Sequence, residues 1–156
     1  MAWTLPRSLR STETTLGEIA ASLVDTLTPS HRHLTHVVVE QETTQLETDA
    51  PLLVECFSRT LRRAFLDHGG AGLEVMLHIH SADDIATFSF IHTGCNQLRG
   101  SRSADHTTLS LADEILSATA QRLGGRASIH DAEGHRCTVV TLPLSFPNAQ
   151  GAEGVS

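Results

Sequence analysis

At 156 residues with 40% hydrophobic content, the chain can bury one core of its own, which predicts a single domain rather than two. Its formal net charge of −7 argues against a nucleic-acid footprint, because phosphate contacts need a concentrated basic surface. All eleven basic residues are arginine, which excludes a Schiff-base lysine and a phosphate-loop lysine outright.

From Thr14 to Leu27 the residues Leu16, Ile19, Ala20, Leu23 and Leu27 recur at three- and four-residue steps, which predicts an amphipathic helix. Ser11 offers a cap, with Glu13 and Glu18 as early acidic charge. Pro29-Ser30 stops this helix, and the β-branched stretch His33 to Thr43 predicts a first strand. Asp49 caps a second helix running to about Asp67, with Pro51 in its first turn and Leu53, Cys56, Phe57, Thr60, Leu61, Ala64 and Phe65 along one face. Gly69 and Gly70 end it.

Leu73, Val75, Leu77 and Ile79 alternate with polar neighbours, and a turn from Ser81 to Asp84 leads into Ile85 to Ile91, so a hairpin with one buried face is expected. Residues 94–108 are polar and rich in glycine and serine, hence a loop. A third helix, LSLADEILSATAQRLGG, closes on a glycine cap, and RASIHDAEGHRCTVVTLPL forms a final hairpin with its turn at Asp131 to Gly134. The counts predict an α/β two-layer sandwich, one mixed sheet with about three helices on one face and no internal repeats. Residues 1–12 are assigned to an N-terminal extension, 13–146 to the domain and 147–156 to a disordered tail.

Cys56, Cys95 and Cys137 are odd in number and widely spaced, which argues against a disulfide framework or a thiolate metal site. Cys95 has no base placed by sequence to activate it and is read as inert. No apolar run approaches the roughly 18 residues of a membrane span, and the opening MAWTLPRSLR lacks the apolar centre of a secretory signal. A cytoplasmic protein without membrane contact is therefore expected.

Three segments in this order resemble the ATP-binding domain of sensor histidine kinases, a member of the GHKL or Bergerat-fold superfamily. DAPLLVECFSRTLRRAF (Asp49 to Phe65) lines up without a gap on the helix of the N box, usually DxxxLxxVLxNLLxNAxK. FSFIHTGCN (Phe88 to Asn96) is similar to the G1 box, usually VxVxDTGPG. The helix ending RLGG, followed by RASI and a final TLPL, is similar to the family's closing pattern. The matches span about Gly17 to Leu144 and imply a Bergerat-type fold.

The resemblance also implies a nucleotide cleft at Arg59, Arg63, His92, Gly94, Asn96, Ser110 and Ala112. The magnesium-binding asparagine of the N box falls at Arg63, and the polar residue one turn earlier at Arg59. A guanidinium cannot ligate a cation. The adenine-accepting aspartate of the G1 box falls at His92, while Gly94 is kept and the second glycine is Asn96. Where the family has GLGL, this chain has Ser110-Leu111-Ala112-Asp113, whose side chains crowd the phosphates and whose Asp113 adds charge of the wrong sign. The intervening loop, the family's ATP lid, is short. Four departures together predict weak or lost Mg-ATP binding, with no cofactor expected.

The expected function is thus a degenerate, non-catalytic module that docks on a signalling protein such as a sensor kinase or response regulator, with a homodimer left open. An alternative is a divergent protein kinase or ATPase of the anti-sigma or sensor-kinase type, using ATP with His92 at the adenine and Glu55 or Asp67 at magnesium. A second is a histidine phosphotransferase built on a dead kinase domain, ranked last for want of dimerisation helices; separately, His33 or His36 as a phospho-acceptor lacks the context of the family's H box. Arg59, Arg62 and Arg63 offer an anion pocket, against which stands the plainer reading of a solvated helix face paired to nearby acids. His78 and His80 on one strand, with His31, His33 and His36, suggest a zinc or nickel site; polar decoration of an open sheet face is favoured, since no carboxylate or thiol is spaced with them.

Overall fold

Thr15, rather than Ser11, starts the first helix. In the computed structural model, which describes residues 9–68, 74–93, 111–132 and 135–145, Thr12–Thr15 are extended as strand β1, so no helix can begin before them. The Thr15 hydroxyl then accepts from the Glu18 N–H at 3.1 Å while the Glu18 carboxylate accepts the Thr15 N–H at 3.1 Å, a reciprocal capping box. It leads α1, Leu16–Asp25, which buries Leu16, Ile19, Ala20 and Leu23 as the periodicity predicts. Thr15→Ala removes one half of the box and is expected to lower stability by about 1 kcal/mol, seen as a lower urea midpoint at unchanged slope.

α1 stops at Asp25 with Thr26 as its C-cap, short of the expected Leu27, and Pro29 starts another helix. Thr28 accepts from the His31 N–H at 3.2 Å, and Pro29–His33 form a short α2 that the sequence reading lacks. Strand β2 is Thr35–Val39, shorter than the expected His33–Thr43, because Gln41 takes a left-handed φ of 61° and turns the chain. The chain then enters β3, Gln45–Thr48, which pairs antiparallel with β1 as a separate two-stranded sheet.

Asp49 caps α3, Ala50–His68, as expected: its Oδ1 accepts the Leu52 N–H at 3.2 Å and its Oδ2 the Arg10 N–H at 2.9 Å. The hairpin β4, Glu74–Ala82, and β5, Ile85–Thr93, turns through Asp83 and Asp84, both left-handed at φ 54° and 66°, so that Ala82 faces Ile85 across a two-residue turn. Helix α4, Leu111–Arg122, closes on Gly124 at φ 91°; the next residue, Gly125, lies so close to β7 that an added Cβ would sit 1.7 Å from the Thr141 carbonyl oxygen. The last hairpin is β6, Arg126–Ala132, with β7, His135–Pro143.

The five-stranded sheet has order β2-β4-β5-β7-β6, with β2 parallel to β4 and the rest antiparallel. On one face Val75, Leu77, Ile79, Phe88, Phe90, Val140 and Leu142 are buried with the apolar stripes of α1, α3 and α4. The two-layer mixed sandwich is as expected, with α2 as a fourth, short helix. The tail assigned to residues 147–156 lies outside the described residues. Among the described residues no helix is long and apolar enough to cross a membrane.

Candidate functional site

Helix α3 presents two flanks to different neighbours. On one, Cys56 is buried against α4, and burial pushes its thiol pKa up to about 11, against the lowering effects of Thr119 and Arg59. At neutral pH it is therefore a protonated core thiol, as expected. Arg59 and Arg63 lie three and seven residues beyond Cys56, close to the same helical flank, and both are exposed. Arg59 pairs with Glu55 one turn back at 3.1 Å.

Arg62 points elsewhere. It lines a groove between α3 and α1, together with Val54, Glu55 and Ser58. The three arginines therefore do not converge on one anion pocket. Arg62 belongs to the stripe of Pro51, Glu55 and Ser58, which turns toward α1, and the plainer reading of a helix face paired to nearby acids agrees with the Arg59–Glu55 pair.

The base-binding end implied by the resemblance is built on the sheet. Phe88, Phe90 and His92 alternate onto the covered face of β5, and His92 is 4% exposed. Its register partners are Val75 of β4 and Arg136 of β7, so the imidazole and the guanidinium project from the same face. Arg136 Nη2 donates to Asp113 Oδ2 of α4 at 2.7 Å, with Asp113 itself 9% exposed at the residue level. This ion pair ties the first turn of α4 to the strand beside His92.

Asp113 thus does not leave an uncompensated negative charge at the start of α4, contrary to the expectation from sequence: Arg136 balances it. Arg136 is the residue the sequence reading missed. A signal was present, since Thr138, Val140 and Leu142 face inward on β7 and stepping back by two reaches Arg136.

Of the other cleft residues, Gly94, Asn96 and Ser110 lie outside the described residues, as does Cys95. Ala112 falls in the first turn of α4. The histidines weighed as metal ligands are engaged separately. His31 stacks on Phe65 with ring centroids 4.2 Å apart, His36 lies 3.6 Å from Glu74, and His78 Nε2 is 2.6 Å from Glu40 Oε2. His78 and His80 do share a face, their rings 5.2 Å apart. Among the described residues no three His, Cys, Asp or Glu side chains are arranged to hold a metal ion.

No family model matches the sequence, and no curated protein matches it. Solved structures do match in fold. The catalytic domain of histidine kinase ThkA, in a nucleotide-free form, aligns with a TM-score of 0.70 at 15% identity, over 86% of this chain and 97% of that one. The histidine kinase domain of the E. coli osmosensor EnvZ, solved by NMR, gives 0.67 at 11% identity, over 90% and 93%. ThkA in complex with the response regulator protein TrrA gives 0.67 at 13% identity; there 89% of this chain spans 43% of the longer kinase chain. The chain has the fold of histidine kinase catalytic domains, as its N-box and G1 segments imply.

Proposed function

We propose that this chain, on the scaffold of a histidine kinase catalytic domain, is a non-catalytic regulatory or docking module of bacterial signal transduction whose hold on Mg-ATP is weak or lost. The observation that carries this reading is the Asp113–Arg136 ion pair beside His92. Adenine recognition needs a buried acceptor with room in front of it, and here the same strand row holds an imidazole next to a guanidinium already bound to a carboxylate.

The residues do not fit a magnesium-bound triphosphate either. Arg59 and Arg63 stand where the resemblance places the metal's ligands, and a guanidinium only donates. Glu55, the acid that a kinase reading would recruit for magnesium, is paired with Arg59 and lines the groove toward α1. A scaffold kept while its ligand residues change is the pattern of a fold put to another use. A protein of the same signalling machinery, a sensor kinase or a response regulator, is the partner class this favours; the ThkA–TrrA complex shows a related fold in such company.

Isothermal titration of the full chain with Mg-ATP, Mg-ADP and metal-free ATP tests the reading. No saturable heat is expected with nucleotide at hundreds of micromolar. Micromolar, magnesium-dependent binding would overturn it.

A further inference from the structure

The flank of α3 that turns toward α1 carries a second feature that no nucleotide role absorbs. α1 and α3 border an open groove of about 450 Å³. Its floor is Ile19 and Ser58, 1% and 4% exposed, and its rim is Ser22, Pro51 and Arg62, all exposed, with Val54 partly so.

Of the charged and threonine side chains around it, all but Arg62 are engaged locally. Glu55 is paired with Arg59 at 3.1 Å, the Thr14 hydroxyl donates to Glu18 at 3.0 Å, and the Thr26 hydroxyl donates to the Leu23 carbonyl at 2.6 Å. Among the described residues no hydrogen bond or ion pair engages the Arg62 guanidinium. The groove is thus of mixed lining, apolar at Ile19, Ala50, Pro51 and Val54, with one uncompensated cation at Arg62.

We infer that this groove docks a peptide segment of a protein partner, one that seats aliphatic side chains on Pro51 and Val54 and brings a carboxylate to Arg62. The inference rests on the docking reading above and adds the place and chemistry of contact. Apolar burial supplies the attraction. The fork of Arg62 donors matches a carboxylate and selects it over a neutral or basic side chain. The exposed rim leaves the trough open between two helices, which suits a chain segment. Because groove and cleft lie on different flanks of α3, occupancy of one can be read separately from the other.

The probe is acetyl-Leu-Leu-Glu-Leu-amide, titrated into the ¹⁵N-labelled full chain, with the matched glutamine peptide as control. Saturable shifts are expected at amides of α1 and the first three turns of α3. The glutamine peptide, or Arg62→Gln with the glutamate peptide, should bind about three- to fivefold more weakly, the scale of an exposed ion pair. Ser22→Trp, a change at an exposed rim position, should fill the trough and abolish the shifts while leaving the melting curve unchanged.

Equal binding of the two peptides, indifference to both variants, or no saturable shift at millimolar peptide would overturn the inference. Mg-ATP added to the same sample tests the earlier reading independently. Saturable shifts at His92, Asp113 and Arg136 would sink the loss of nucleotide binding and leave the groove result standing.

Discussion

Phe57→Ala is expected to lower the unfolding free energy by about 3–5 kcal/mol, a large part of the stability of a domain this size. Phe57 is fully buried on α3, and its ring meets both Phe88 and Phe90 at centroid distances of 5.0 Å, tilted by 54° to one and 70° to the other. Edge-on contacts of this kind add to the area buried. The cavity left by alanine has little chance to collapse, because both partner rings stand on β5, which is hydrogen-bonded to β4 on one side and β7 on the other. Phe57→Leu keeps most of the volume and should cost roughly 1–1.5 kcal/mol. Urea unfolding followed by circular dichroism measures both; a loss under 1 kcal/mol for alanine would mean that α3 is not seated on the sheet through this residue.

The parts of the fold legible in the sequence are those where period and burial agree over a long stretch. α3 carries its apolar stripe over several turns behind a capping aspartate, and β4 and β5 alternate cleanly about a two-residue turn. The parts that were not legible are short or set by tertiary pairing. β1 and β3 have four residues each, mostly threonine and glutamate or glutamine, and become strands only by pairing with each other some 30 to 36 positions apart. Their local pattern carries no apolar alternation. The early end of β2 depends on a left-handed glutamine at position 41, a conformation that residue identity does not announce.

The candidate site divides in the same way. Residue identity alone places Arg59 and Arg63 near one flank of α3, since helical spacing fixes their relation to the capping residue. Whether Arg62 joins them depends on where α1 packs, and that packing takes it away. The Asp113–Arg136 pair spans 23 positions and two elements. It becomes visible only when the final hairpin is docked in register against β5, which sets Arg136 opposite His92.

Arg136→Leu tests that pair, and its effect should be about 2–3 kcal/mol of lost stability. Removing one partner of a buried ion pair commonly costs about 3–5 kcal/mol, because the other charge is left desolvated. The value is reduced here because the Arg136 side chain is 33% exposed, against 13% for Asp113, and water can reach part of the site. Changing both residues to leucine should recover most of the loss, since no orphaned charge remains. If the single and double variants lie equally close to the native protein in urea unfolding, the pair is not what fastens α4 to β7. The same variants separate two obstacles to nucleotide binding. With Asp113 and Arg136 both replaced, the cleft beside His92 is opened while Arg59 and Arg63 remain, so Mg-ATP should still fail to bind. Metal-free adenosine binding that appears in the double variant alone would assign the block at the base end to this ion pair, and continued failure of Mg-ATP would assign the block at the phosphate end to the arginines of α3.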